Sequence, residues 1–154
     1  MQMTIYKDNS LGYRTNLASR LFVRELSRRL EAIGLSIGHM PVFVALGAGG
    51  AMTQRDLARE ALVEQPTMAA TLSRMERDGL IERKPDPSDG RSALVSLTPG
   101  ATAKLPQLAK AVEDVNAVAA AVLDAEEERQ FMATLDKIIA ALSEADRAAQ
   151  ALER

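Results

Sequence analysis

The spacing of apolar residues along this chain predicts a mainly helical protein. Between Leu11 and Ile33 the apolar positions recur at steps of three and four, which places them on one face of an α-helix. Gly34 follows at once and is a typical residue at the end of such a helix. A second, shorter helix is predicted for Gly38–Leu46, and the polar, aperiodic first nine residues predict a loose arm.

Two further helices are predicted close together in the middle of the chain. Thr53 has a side chain suited to an N-cap and Asp56 follows three residues later, so a helix is predicted to begin there and to end near residue 61. The next helix is predicted from Gln65 to Asp78. Pro66 stands in its first turn, where a missing N–H does no harm.

A β-hairpin is predicted directly after these helices. Two short runs of strand-forming residues, Leu80–Lys84 and Ser92–Leu97, flank the dense turn sequence Pro85–Gly90. Helices followed by a two-stranded hairpin are typical of a winged helix-turn-helix. Residues 38–98 are therefore predicted to form such a module, a fold that binds DNA.

Two long apolar stripes follow the predicted module. One belongs to a helix opened by Thr98 and Pro99, the other to a helix capped by Asp124 with Glu127 in a capping box. In each helix the apolar residues alternate at steps of three and four, as in a coiled coil. A second copy of the chain in a two-fold dimer would cover these stripes, and an intramolecular bundle with the first helix is the alternative.

The predicted fold is therefore mainly α with a small β-hairpin wing. Residues 11–33 and 99–152 are predicted as dimerisation helices, and residues 1–154 as a single domain.

Composition excludes several classes of function. The chain has no cysteine, which excludes disulfides, thiolate metal sites and thiol redox switches. His39 is the only histidine, which argues against a histidine-rich metal sensor. We find no glycine-rich phosphate loop, nucleophile elbow or metal-spaced cluster, so neither an enzyme nor a cofactor is expected. No run of about 18 apolar residues occurs, and a soluble cytoplasmic protein is expected.

The overall charge gives no support for DNA binding. The formal net charge is −2, with +3 on residues 1–52, −1 on residues 53–97 and −4 on residues 98–154. DNA binding would therefore depend on the local arrangement of side chains and not on the summed charge. A dimeric winged-helix scaffold, or a ligand-binding protein that does not bind DNA, remains the alternative.

The predicted helix from Gln65 to Asp78 carries two contrasting faces. Met68, Leu72 and Met75 are spaced to face inward. Short side chains and one arginine are predicted to face outward, and short residues allow a helix to enter the major groove, which is about 12 Å wide. Packing of this face against another helix is the alternative. The residues predicted to face outward are Thr67, Ala70, Thr71 and Arg74.

Arg91 directly follows the predicted turn and is expected at the tip of the hairpin. A single arginine there suits a narrow minor groove, where the negative potential is enhanced. Asp89 is expected to orient Arg91 or another arginine, although such a pair alone is usually a solvated turn. The candidate DNA-binding residues are Thr53, Gln54, Gln65, Pro66, Thr67, Ala70, Thr71, Arg74, Asp89 and Arg91.

Nearly the whole chain resembles the MarR (multiple-antibiotic-resistance regulator) family, most specifically in the Asp-x-Arg wing and the strand after it. The resemblance implies a homodimer with intertwined first and last helices. It also implies a repressor of a pseudo-palindromic operator, with Arg91 in the minor groove and the helix Gln65–Asp78 in the major groove. The segments that carry the resemblance are Gln65–Met68, Arg77–Arg83, Pro85–Arg91 and Leu94–Thr98.

The same resemblance implies a small effector, often phenolic or anionic, between the dimer helices and the module. The matching positions here are Tyr13, Arg14 and His39. Arg14 would pair with an anion and Tyr13 would stack on a ring. The alternative is that Tyr13 and Arg14 are surface or dimer-packing residues and that His39 is a capping residue.

Overall fold

The structure, a computed structural model, describes residues 9–152. The arm predicted for the first nine residues lies outside this range, except for Asn9. Two compact units are present, one reaching Glu113 and the other beginning at Asp114. The helices are α1 (Leu11–Glu31), α2 (Met40–Leu46), α3 (Gln54–Glu60), α4 (Gln65–Arg77), α5 (Pro99–Thr102), α6 (Leu105–Ala120) and α7 (Ala125–Leu152). The strands are β1 (Met52–Thr53), β2 (Ile81–Asp86) and β3 (Asp89–Leu97), and a short 3₁₀ helix spans Ile37–His39.

Side-chain caps determine where several helices begin. The Thr53 hydroxyl accepts the N–H of Asp56 at 3.1 Å and donates to the Asp56 carboxylate at 2.8 Å. At the start of α7, the Asp124 carboxylate accepts the N–H of Glu127 at 2.8 Å, and the Glu127 carboxylate accepts the N–H of Asp124 at 2.9 Å. These hydrogen bonds confirm both predicted caps. Each cap provides an acceptor for an N–H group of the first turn, which has no partner within the helix.

The prediction of a single long helix that starts at Thr98 and Pro99 is wrong. The chain forms the short helix α5, and Ala103 and Lys104 then separate it from α6. The Lys104 ammonium donates to the backbone carbonyl of Ile33 at 2.7 Å, just beyond the end of α1. A carbonyl at a helix end lacks an intrahelical donor, and a cation is favoured there. The interruption thus places a lysine where it satisfies the end of α1.

The wing hairpin is longer than the sequence predicts. The strands β2 and β3 pair as far as Asp86 opposite Asp89, so the predicted turn Pro85–Gly90 shrinks to residues 87 and 88. Pro85 is accommodated within β2 because this strand lies at the edge of the sheet, whose order is β1-β3-β2. The strand β1 was not predicted, since two residues show no alternation.

One apolar core holds the helix-turn-helix and the wing together. The predicted stripe of α4 is buried, with Met68 at 1% exposure and Leu72 and Met75 at 0%. Strand residues Ile81 and Val95 close the same core from the sheet side. The other buried apolar members are Leu30, Leu35, Val42, Phe43, Leu46, Leu57, Ala58, Leu80, Ala101, Leu108 and Ala111.

The turn between α3 and α4 contains an unusual backbone conformation. Leu62 has a φ of +52°, in the left-handed region that residues other than glycine, asparagine and aspartate seldom adopt. Its side chain is 84% exposed. The side chain of Leu62 therefore contributes little to the buried core.

Candidate nucleic-acid interface

An open groove of about 940 Å³ lies between the starts of α3 and α4 and the wing hairpin. Its walls bring together side chains that are far apart in the sequence, including five of the predicted DNA-binding residues. Four arginines and three aspartates supply its charge. The lining residues are Thr53, Gln54, Arg55, Asp56, Arg59, Gln65, Arg83, Asp86, Asp89, Arg91, Ser92 and Ala93.

Two aspartates shape the tip of the wing. The Asp86 carboxylate accepts the N–H and the hydroxyl of Ser88 at 2.8 and 2.7 Å, and these bonds hold the pKa of Asp86 below its usual value. The Asp89 carboxylate accepts the backbone N–H of Arg91 at 3.0 Å. The predicted orienting role of Asp89 thus takes the form of a backbone contact. Both carboxylates have hydrogen-bond donors within the wing.

The arginines of the groove differ in how they are paired. Arg59 contacts Asp56 at 2.7 Å, and Arg83 contacts Glu76 of α4 at 3.1 Å. Within residues 9–152, no salt bridge involves Arg91. The guanidinium at the wing therefore keeps its donors available to an anion in solution.

The outward face predicted for α4 needs one correction. Thr71 is only 9% exposed and lies on the side of Met68 and Met75, so its placement on the outward face is wrong. Three residues of helix advance by about 300°, which brings Thr71 to within about 60° of Met68. Its hydroxyl instead accepts a hydrogen bond from Arg74 at 3.4 Å. Thr71 thus contacts an arginine in the last turn of α4.

The exposed face of α4 is longer than predicted. Thr67, Ala70 and Arg74 are exposed, as the sequence indicates. Ser73 and Arg77 are exposed beside them and were not among the candidates. The signal was present in the sequence, since Ala70, Ser73 and Arg77 follow at steps of three and four. The face therefore runs from Pro66 to Arg77 and combines small residues with two arginines.

Known proteins share both this sequence pattern and this architecture. The family model of the MarR family matches residues 33–92. The HTH-type transcriptional regulator YwoH of Bacillus subtilis is 31% identical over 103 residues, which cover 67% of this chain and 74% of YwoH. The chain belongs to the MarR family. Like the relatives it resembles, it is a transcriptional regulator and not an enzyme.

Two further relatives extend the comparison over more of this MarR-family chain. The HTH-type transcriptional repressor Rv2887 of Mycobacterium tuberculosis is 27% identical over 136 residues, covering 88% of this chain and 98% of that protein. The crystal structure of a mutant MarR from E. coli complexed with operator DNA matches with a TM-score of 0.78 and 25% identity. That match covers 83% of this chain and 92% of that one.

The three effector candidates of this MarR-family chain do not all lie at the same end of α1. Tyr13 and Arg14 lie in the first turns of α1, and Leu30, at the other end, is the only buried residue of this fully described helix. Leu30 comes seventeen positions after Tyr13 along the helix, a distance of about 25 Å. His39 follows the Leu30 end after a short connection.

His39 has a capping contact of its own. Its Nδ1 accepts the backbone N–H of Ser36 at 3.2 Å, which is the capping role considered as the alternative. Burial lowers the pKa of His39, while the carboxylate of Asp78 opposes this shift and the guanidinium of Arg74 reinforces it. Burial thus favours the neutral imidazole, in which Nδ1 is the acceptor.

None of the helices within residues 9–152 is long and apolar enough to span a bilayer. The same residues contain no group of three or more His, Cys, Asp or Glu side chains that could bind a metal ion.

Proposed function

We propose that two copies of this chain bind a pseudo-palindromic duplex operator in the cytoplasm and repress a gene there, and that a small effector releases them. The observation that carries the proposal is the groove beside α4, with Arg91 at its edge in no salt bridge within residues 9–152. The exposed face of α4 begins at the same place.

The composition of α4 suits entry into the major groove. Ala70 and Ser73 lie near the middle of the exposed face, and their short side chains allow the helix backbone to approach base edges. Arg74 and Arg77 lie one turn further on. Each guanidinium has donors in a planar fork that matches either guanine acceptors or a phosphate. Base recognition is therefore assigned to this face.

The wing supplies a contact of a different kind. Arg91 stands in a strand next to the tip of the hairpin, held at its backbone by Asp89. A guanidinium presented this way fits the narrow minor groove or the phosphates that border it. Such contacts position a protein on DNA and carry little base preference.

The exposed apolar surface of the long helices supports a dimer. No described residue of α7 is buried, although Phe131, Ile139 and Leu142 are large apolar side chains that are 52–66% exposed. Leu17 and Leu21 of α1 are exposed as well. A second copy would cover each of these apolar faces in a two-fold arrangement, and two modules would then match two half-sites.

Repression follows from occupancy of the operator. A dimer seated on the duplex prevents another protein from binding the same segment. Rv2887, which this chain matches over 88% of its length, bears the name of a repressor. Repression is therefore the direction that we propose for regulation by this chain.

Replacing Arg91 or Arg74 by alanine tests the two assigned contacts separately. We expect Arg91→Ala to weaken binding to all duplexes and to reduce the salt slope by about one unit, because it removes a positioning contact. Arg74→Ala should weaken binding and also relax base preference, by about 1–3 kcal/mol if it contacts a base. Fluorescence anisotropy on a duplex selected from a random pool and on a scrambled duplex measures both effects.

The control for these variants is Arg147→Ala on α7, which changes the net charge equally. Its affinity for both duplexes should remain that of the unsubstituted protein. Unchanged affinity of a dimeric Arg91→Ala protein would rule out the wing contact.

The effector proposal is tested with salicylate, which combines a phenol with a carboxylate. We expect salicylate to weaken operator binding by about 5- to 150-fold, the usual range of coupling between two sites. Arg14→Ala should abolish this response and preserve operator affinity without salicylate, because the anion loses its guanidinium partner. Arg28→Ala, also on α1, is the control. An undiminished response in Arg14→Ala would contradict the assignment.

A further inference from the structure

Two glutamine amides meet at the edge of the groove. Gln54 is the first residue of α3 and Gln65 is the first residue of α4. The Nε2 of Gln54 donates a hydrogen bond to the Oε1 of Gln65 at 3.3 Å. Gln65 is exposed and Gln54 is half-buried, and both line the groove. The contact therefore links the starts of the two helices at a surface open to solvent.

The direction of this hydrogen bond determines what Gln65 offers to a ligand. A glutamine side chain has one carbonyl oxygen and an NH2 group with two donors. Here Gln54 engages one of the two lone pairs of the Gln65 oxygen. Because the amide is planar, the NH2 group lies on the opposite branch, away from Gln54. None of the described contacts uses the two N–H donors of Gln65.

We propose that Gln54 is a positioning residue that fixes the amide plane of Gln65 so that its N–H donors face a base edge. This inference rests on the proposed DNA binding. The pair would then set the base preference at one position of each half-site. Guanine is the expected base, because its major-groove edge offers two acceptors, O6 and N7. The usual bidentate contact of glutamine with adenine would require the amide oxygen to accept a second hydrogen bond, beside the one from Gln54.

Without Gln54, the amide of Gln65 loses its restraint. A free glutamine side chain rotates about several bonds and presents oxygen or NH2 with similar ease. It would then accept adenine as well as guanine. The role of Gln54 is thus to select one of the two orientations and not to contact the base itself.

Selection from a pool of random duplexes about 25 base pairs long tests this inference. The proteins compared are the unsubstituted chain, Gln54→Ala, Gln65→Ala, Gln65→Glu and the double alanine variant. We expect the unsubstituted chain to prefer guanine at one position by roughly 5- to 150-fold over the other bases. Gln54→Ala should lose this preference at that position alone. Gln65→Glu keeps an acceptor for Gln54 but places an oxygen against guanine, and should bind that duplex more weakly than Gln65→Ala.

The double variant separates a coupled pair from two independent contacts. If Gln54 acts through Gln65, adding Gln54→Ala to Gln65→Ala should change affinity for the selected duplex by less than about twofold. Gln107→Ala, an exposed glutamine on α6, is the control and should keep the full preference. Thermal unfolding is measured in parallel, because a purely structural contact would lower the melting temperature without altering base preference.

Three results would overturn the inference. They are an unchanged guanine preference in Gln54→Ala, losses that multiply in the double variant, or selection of adenine by the unsubstituted chain. If the unsubstituted chain selects no sequence at all, the proposed function itself fails and this inference with it. If only the inference about Gln54 and Gln65 fails, every variant should still select the same operator as the unsubstituted chain.

Discussion

Leu72→Ala is expected to lower the free energy of unfolding by about 2–5 kcal/mol. Leu72 is completely buried on α4, in the core between the helix-turn-helix and the sheet. Truncation removes apolar contacts and leaves a cavity that the surrounding residues fill only in part. Urea unfolding followed by circular dichroism measures the loss. The exposed face of α4 is presented by the same helix, so operator affinity should fall at temperatures where unfolding begins.

The chain offers a matched control for this substitution. Leu62→Ala removes the same atoms from a side chain that is 84% exposed in the turn before α4. Its free energy of unfolding should change by less than about 0.5 kcal/mol, as is usual for surface positions. If both variants lost the same stability, the burial of the α4 stripe would not explain the stability of the module.

Leu142→Asp is expected to convert the dimer to monomers and to weaken operator binding by roughly 100-fold or more. Leu142 is 66% exposed on α7 and belongs to the apolar stripe that we assign to the second copy. A two-fold interface contains each substitution twice, and an unpaired carboxylate buried there is strongly unfavourable. Two unlinked modules also lose the advantage of binding neighbouring half-sites together. Analytical ultracentrifugation and anisotropy measure the two effects.

Ala140→Asp is the control, because it adds the same charge about 200° away around α7. This variant should remain a dimer with nearly normal operator affinity. A dimeric Leu142→Asp protein would show that the stripe of α7 is not the interface. A monomeric variant with full operator affinity would contradict the role of dimerisation in DNA binding.

Local rules were sufficient to predict much of the module from the sequence. The steps of three and four in α4 identified Met68, Leu72 and Met75 as core residues, and all three are buried. The caps at Thr53 and Asp124 follow from the chemistry of helix ends, which depends on residues only three positions apart.

The prediction errors arose where distant parts of the chain meet, or where the assignment depends on a single residue, such as one at the border between two faces of a helix. The break between α5 and α6 depends on Lys104 reaching the carbonyl of Ile33, which no local pattern reveals. Thr71 lies at the border of the two faces of α4, so composition could not place it. Pro85 suggested a turn, but an edge strand accepts a proline.

The groove itself could be predicted only in part. Arg91 was recognised because it stands beside a turn within a single hairpin. Arg55, Arg59 and Arg83 come from α3 and β2 and meet only in the folded chain. Since the module has a formal charge of −1, its summed charge gave no indication of this cluster. Which carboxylates accept hydrogen bonds within the protein, as Asp89 does, is likewise visible only in the structure.

The most direct test of the central claim is the affinity of the unsubstituted chain for duplexes selected from a random pool, measured across a range of salt concentrations. We predict an enriched inverted repeat with half-sites about 10 base pairs apart, and an affinity whose logarithm falls linearly with the logarithm of salt concentration. A selection that enriches no sequence, with binding that does not vary with salt, would contradict DNA binding by this chain.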